Sequence, residues 1–466
     1  MYQNSLEDTI AAISTPSGQG GIGIVRVSGK EALSIGDEIF VGVNERKPSE
    51  FKTFTLHYGR VINRKGKAEE VVDEVLLTVM RAPKSYTCED VVEISCHGGT
   101  VPLKKILMLT LDHGARLAEP GEFTKRAFLN GRIDLTQAEA VADIISAKTD
   151  AFLKLSINQL KGDLTLELES IREYLMDAYT EIEAVVNFPE DDIDASSRKK
   201  LSIDIKEALK HVEALLASSE QGRILKEGIK VVICGKVNVG KSSLLNVFLK
   251  QPRAIVSHIE GTTRDIIEES AQIQGIPLQL IDTAGILDPR DSIEEEAVKR
   301  SHLYIDQAEI ILLLFDASQE ISQEDINLAN RIKDKNVIIV LNKCDCPTKI
   351  DEGAFRKLLP NFKMAKISAL EKQGINPLEE MIVENALHGK RLETPKILIS
   401  NLRQIESLKK CLTALEKAQE HFSQNLSLEF ISEEIKLAIS LLDQITGKDI
   451  DNDLIDKIFS SFCVGK

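Results

Sequence analysis

The residues Gly235-Lys236-Val237-Asn238-Val239-Gly240-Lys241-Ser242 have types and spacing suited to holding a phosphate chain, the pattern G-x-x-x-x-G-K-[ST]. The two glycines let the backbone turn tightly, so that successive N–H groups face phosphate oxygens, and the following helix terminus adds partial positive charge. Within Asn238, Val239, Gly240, Lys241, Ser242 and Ser243, Lys241 is expected to reach the β- and γ-phosphates and the Ser242 hydroxyl to bind Mg²⁺. Asp282-Thr283-Ala284-Gly285 adds a carboxylate able to hold the metal through water and a glycine N–H for the γ-phosphate. In Asn342-Lys343-Cys344-Asp345 a carboxylate can accept two parallel hydrogen bonds from the N1–H and exocyclic amine of guanine, a donor pair that adenine lacks. Ser368-Ala369 can offer a backbone N–H to the guanine O6. The nucleotide is therefore expected to be GTP or GDP.

Such groups need strand tips to hold them. Apolar, β-branched runs at 229–234, 278–281 and 337–341 each end just before one of these segments, 364–367 is strand-like, and 242–249 has helical periodicity. Strand, loop and helix in that order predict a parallel-sheet, Ras-like GTP-binding domain.

The 466 residues exceed what one core organises, and about three domains are expected. A net charge of −15 disfavours broad nucleic-acid binding. Local basic clusters remain at Lys104-Lys105, at Lys125-Arg126 with Arg132, and at Arg198-Lys199-Lys200, each more simply a solvated face. Seven cysteines without a C-x-x-C pair indicate neither a zinc site nor a disulfide framework and fit a reducing cytosol. No apolar run reaches membrane-spanning length and the first residues lack a basic signal region, so a soluble, cytoplasmic protein is expected.

Residues 1–120 read as an α+β domain, with a glycine turn into a short strand within 20–29, a strand at 71–79, and one within 90–99 that ends at a glycine pair. His97, before two glycines, is a polar residue at a strand end, since no nucleophile motif accompanies it. The helical character of 121–220 rests on Ile157, Leu160, Leu164, Leu168, Ile171, Leu175, Ala178, Ile182 and Val185, whose spacing predicts one long amphipathic helix ending near Phe188-Pro189. Another helix is expected at 201–216. The nucleotide domain takes 221–387, and helices resume in 388–466 at 401–419, 428–446 and 450–459. This order predicts a helical bundle with the GTP-binding domain inserted between its halves, preceded by the α+β domain.

Four stretches together resemble the MnmE (TrmE) family of tRNA-modification GTPases: the phosphate loop continuing into Ser243, Glu260-Gly261-Thr262-Thr263-Arg264-Asp265, the segment Pro120-Gly121-Glu122-Phe123-Thr124-Lys125-Arg126-Ala127-Phe128-Leu129-Asn130-Gly131, and Phe462-Cys463-Val464-Gly465-Lys466. The resemblance runs end to end. Its one noted departure is Val237, where relatives usually carry proline. It implies a cytoplasmic homodimer that works with the flavoprotein MnmG to install an aminomethyl-type group (carboxymethylaminomethyl in some tRNAs) at carbon 5 of a wobble uridine. The one-carbon unit would come from a tetrahydrofolate derivative, 5-formyl- or 5,10-methylene-tetrahydrofolate, held in the N-terminal domain by Arg26, Glu93, Arg132 and Lys466.

Hydrolysis calls for further groups, because Ile286 follows Asp-Thr-Ala-Gly where a glutamine would orient water and no arginine is placed to neutralise charge. The resemblance assigns that charge to K⁺, held by Asn238, Ser257, Ile259 and Thr262. It gives water positioning to Glu294 as two GTPase domains of the dimer meet, and completion of the Mg²⁺ shell to Thr263. His258, Glu260 and Gly261 join the nucleotide contacts. From its surroundings alone, Glu294 in Glu294-Glu295-Glu296 reads as a solvated helix face. Cys463 is either a nucleophile for one-carbon chemistry or a packed thiol. The alternative function is a switch or ribosome-assembly GTPase that binds RNA without modifying it; the flanking regions, acidic helices and a non-basic α+β domain, favour the modification enzyme.

Overall fold

The computed structural model describes residues 8–16, 18–43, 45–64, 69–187, 195–249, 268–282, 305–351, 353, 355, 362–389 and 397–466. The chain forms two compact units, one of residues 1–142, 160–169 and 439–466, the other of 143–159 and 170–438.

In the first unit, strands β1 (Ile10–Ile13), β2 (Ile22–Ser28), β3 (Phe40–Gly42), β4 (Thr55–Asn63), β5 (Glu70–Met80), β6 (Val91–His97) and β7 (Arg116–Leu117) form one sheet in the order β3-β4-β5-β6-β2-β1-β7. All neighbours pair antiparallel except β1 with β7. The side-chain period of two sends Val25 and Val27 of β2 and Val92 and Ile94 of β6 into the core with the helices Ala32–Ile39 and Thr100–Asp112. It turns Arg26 and Glu93, directly paired across β2 and β6, to the other face. The same unit carries a small helical core of Leu135, Ala138, Ile455, Phe459 and Phe462.

The second unit is built on a sheet ordered β13-β12-β11-β8-β10-β9, where β8 is Ile229–Gly235, β9 Glu268–Ile273, β10 Ile276–Asp282, β11 Ile310–Asp316, β12 Val337–Asn342 and β13 Lys363–Lys366. Only the β9–β10 pair is antiparallel. Apolar layers cover both faces, with Val231 and Ile233 in one core and Val232 and Cys234 in the other, which is why these strands read as continuous apolar runs. The helices Ala195–Ala217 and Leu402–Ser423 pack against each other, and Leu428–Thr446 follows.

The single long helix expected through 157–185 is instead two, Asp150–Leu160 and Asp163–Asn187. Gly162 between them has φ +94°, a left-handed backbone that ends a right-handed helix. A further helix, Ser219–Glu227, stops at Gly228, where φ is +85° and a Cβ would lie 2.5 Å from the Pro277 carbonyl.

Candidate functional site

The phosphate loop leaves the tip of β8 and runs into the helix Lys241–Leu249. Gly235 (φ +150°), Asn238 (φ +66°) and Gly240 (φ +101°) bend the backbone between them. A Cβ on Gly235 would lie 2.6 Å from the Leu314 carbonyl of β11, so the loop is seated directly on the neighbouring strand. The Lys241 ammonium is buried and donates to the carbonyls of Gly235 at 2.9 Å and Lys236 at 2.7 Å, closing the loop on itself. Asn238, Ser242 and Ser243 are exposed, whereas Val239 is buried. Lys236 is tied to the capping box of the helix Gln323–Arg331, donating to Ser322 and pairing with Asp325 at 3.0 Å.

The second half of the site joins the tips of β11 and β12 to the segment after β13. Asn342 is buried; its Nδ2 donates to the Val239 carbonyl at 2.8 Å, and its Oδ1 accepts from the Ala369 N–H at 3.0 Å. One side chain thus braces the phosphate loop against Ser368-Ala369. Lys343 has φ +64°, and its ammonium lies 2.6 Å from Asp316 Oδ2. Asp345 is exposed, and the Ser368 hydroxyl beside it holds its carboxyl below the usual carboxylate range. The structure therefore brings together Asn238–Ser243 in numbering, 342–345 and 368–369. Of Asp282 the backbone is described, at the end of β10 in register with Ile233. Ser257, His258, Ile259, Glu260, Gly261, Thr262, Thr263, Thr283, Ala284, Gly285 and Glu294 lie outside the described residues.

A second group of polar side chains sits in the sheet unit. Arg26 Nε donates to Glu93 Oε1 at 2.7 Å and Nη1 to the Gly465 carbonyl at 3.2 Å, which also accepts from the Ser14 hydroxyl at 3.2 Å. The terminal segment continues across this unit: the N–H groups of Gly121 and Phe123, at the start of the helix Glu122–Leu129, donate to the carbonyls of Cys463 and Lys466, each at 3.2 Å. Gly465 has φ +87°, and a Cβ there would lie 2.5 Å from the Ile13 carbonyl. Arg132 lies 4.8 Å from the centre of the Tyr86 ring and Arg26 5.9 Å from it, so both cations are within reach of one aromatic ring. Burial pushes the Tyr86 hydroxyl up from its ordinary value. Cys463 is exposed.

Each basic cluster has members with structural partners. Arg126, 1% exposed, is not a surface group: it bonds Asp8 Oδ1 at 2.6 Å, Glu89 Oε1 at 3.1 Å and Glu122 Oε1 at 3.1 Å. Isolated burial of a guanidinium would be strongly unfavourable, and these three carboxylates supply the compensation. Lys125 pairs with Asp456, Lys105 with Glu70, and Arg198 bonds Asn425. His97 closes β6 in an exposed pair with Asp73 at 2.7 Å.

A parallel sheet with a glycine-bent loop between β8 and a helix, and with an Asn-Lys-Cys-Asp segment at the tip of β12, defines a P-loop GTPase. Comparison with known proteins adds the family. Residues 135–463 match the MnmE helical domain, and residues 9–132 match the N-terminus of the GTP-binding protein TrmE. The tRNA modification GTPase MnmE of Desulforamulus reducens is 44% identical over 462 residues, 99% of this chain and 100% of that protein. That of Natranaerobius thermophilus is 44% identical over 460 residues, again 99% and 100%. Among solved structures, the G domain of the FeoB iron transporter of T. maritima is 28% identical over 34% of this chain and 98% of its own, with a TM-score of 0.28. The chain belongs to the MnmE family of tRNA modification GTPases. Among the described residues no helix is long and apolar enough to cross a membrane.

Proposed function

We propose that this protein is a K⁺-stimulated GTPase that, as a cytoplasmic homodimer with the flavoprotein MnmG, modifies carbon 5 of the wobble uridine of certain tRNAs with a tetrahydrofolate one-carbon unit. The observation that carries the proposal is the Gly465 carbonyl on Arg26 beside Glu93, because it gives the sheet unit a polar site of its own, separate in sequence from the nucleotide loops.

The donor chemistry of that site suits a folate. Glu93 is a carboxylate for the pterin's amino and ring N–H groups, while Arg26, Arg132 and Lys466 suit a polyanionic tail. A bound folate would supply the one-carbon unit; Arg26 and Glu93, joined at 2.7 Å, orient each other for it. In the nucleotide site, Lys241 would reach the phosphates, Ser242 and Thr263 would hold Mg²⁺, and Asp345 would read the guanine donors. K⁺ supplies the positive charge that an arginine finger gives elsewhere. Asn238, exposed at the bend of the loop, with Ser257, Ile259 and Thr262 would hold it, and Glu294 would position water. The domains assigned are 1–120 for folate and dimerisation, 121–220 and 388–466 for the helical part, and 221–387 for GTP.

Turnover measured in K⁺ and then in Na⁺ tests the proposal. An arginine finger contributes about 10³-fold or more, so a K⁺ ion in its place should make the Na⁺ rate lower by roughly an order of magnitude or more. Equal rates would remove the ion from the mechanism. Nucleoside analysis of tRNA from a strain lacking the protein separates modification from an RNA-binding switch: wobble uridines should lose their substituent.

A further inference from the structure

At the tip of β12 two carboxylates compete for one ammonium. Lys343 stands two residues before Asp345 in a loop whose left-handed turn at Lys343 (φ +64°) folds it back toward β11. There the last residue of β11, Asp316, is in register with Asn342 and its side chain is 5% exposed. Asp316 Oδ2 takes the Lys343 ammonium at 2.6 Å, and Oδ1 is fixed by the Ser318 N–H at 3.0 Å and the Ser318 hydroxyl at 2.6 Å. Both oxygens are thereby committed and the carboxylate cannot rotate away. Asp345, exposed in water, accepts instead from the Cys346 thiol at 3.5 Å, with the Ser368 hydroxyl beside it. Attraction between opposite charges is stronger for the buried partner than for the hydrated one, so the ammonium stays on Asp316.

We propose that Asp316 is a positioning residue of the base site: it holds the Lys343 ammonium away from Asp345, so that the Asp345 carboxylate stays open to the guanine N1–H and amine. This rests on the reading of 342–345 as the base-reading loop. Without Asp316, Asp345 becomes the carboxylate nearest in sequence to the released ammonium, and pairing with it masks the group that reads the base. Burial alone would raise the Asp316 carboxyl, but Lys343 and Ser318 outweigh it and keep the carboxyl below the usual range, so Asp316 is charged at neutral pH.

The test is titration of a fluorescent GDP into the full-length protein. Asp316→Ala should raise Kd roughly tenfold, the scale of one lost charge-assisted contact, with kcat at saturating GTP unchanged. Asp316→Asn, which keeps an acceptor oxygen without the charge, should fall between. Adding Asp316→Ala to Lys343→Met should cost nothing further, because the ammonium that masks Asp345 is gone; a structural defect would multiply with it. Wild-type GDP affinity in Asp316→Ala, or multiplicative losses in the double variant, would overturn the proposal. If Asp316→Ala does not fold, Asp316→Asn with and without Lys343→Met decides on the same criteria. Asp345→Asn tests the underlying reading separately. If it fails to transfer preference to xanthosine diphosphate, the base-loop assignment falls, whereas if it succeeds while Asp316→Ala binds GDP normally, only the positioning role falls.

Discussion

Gly240 has no room for a side chain. Its φ of +101° already disfavours any L-residue, and a Cβ would run into Asn342 Nδ2. Because Asn342 bonds Val239 on one side and Ala369 on the other, Gly240→Ala must push apart two segments of the nucleotide site at once. Two lost hydrogen bonds at about 1 kcal/mol each predict a rise in GDP Kd of at least roughly tenfold. Wild-type affinity by fluorescence titration would contradict the brace. The bends at Gly235 and Gly240 were legible in the sequence because the motif spacing calls for a tightly turned loop there. The brace was not, since it pairs Asn342 with residues far away in the chain, and pattern alone assigned Asn342 only to the base-reading segment. The same holds for Asp316, at the end of β11, a strand that the motif reading did not name.

Helices and strands were legible wherever a pattern had a clear stop. The run 428–446 was read to the residue, and β8, β10 and β12 of the second sheet nearly so, because a strand buried on both faces is continuously apolar; β9 and β11 were not named. The break at Gly162 was missed because Leu160 and Leu164 keep helical spacing across it, so hydrophobic period alone cannot see a change of backbone hand. The helix Glu122–Leu129 was seen as sequence, but not as an anchor. Its Glu122 is bonded by Arg116 at 2.7 Å and by buried Arg126 at 3.1 Å. Burial would raise the Glu122 carboxyl, but these guanidinium groups and the Glu119 N–H outweigh it and hold it below its ordinary 4.5. A carboxyl with a depressed folded value stabilises the fold above its unfolded value and loses that contribution as pH falls through the folded one. Glu122→Gln should therefore melt at lower temperature near neutral pH and lose less stability than wild type on acidification below about 4.5, the unfolded value. Parallel melting curves across that range would show that the network contributes no linkage.

At the scale of the whole molecule, the family and the order of folds follow from the motifs, but the boundaries of the compact units do not: 160–169 and 439–466 join the sheet unit although their sequence is helical, because membership is decided by long-range contacts. The terminal segment is the clearest case. Terminal residues usually fray, yet Phe462 is buried with Leu135, Ala138, Ile455 and Phe459, and Cys463, Gly465 and Lys466 all give backbone carbonyls to the sheet unit. Truncating 462–466 would remove both the apolar anchor and the polar contacts, so a gentler substitution separates them. Gly465→Ala leaves Phe462 in place but puts a Cβ 2.5 Å from the Ile13 carbonyl at φ +87°. A non-glycine residue in this backbone costs about 1–2 kcal/mol before any clash, enough to lift Gly465 from Arg26 and Ser14. On the folate proposal, the variant should weaken tetrahydrofolate binding and lower wobble-uridine modification in cells. GTP affinity should stay at the wild-type value, because its site is formed by residues of the other unit. Full modification by Gly465→Ala would separate the docked tail from the chemistry; loss of GTP affinity as well would make the tail a support of the whole fold.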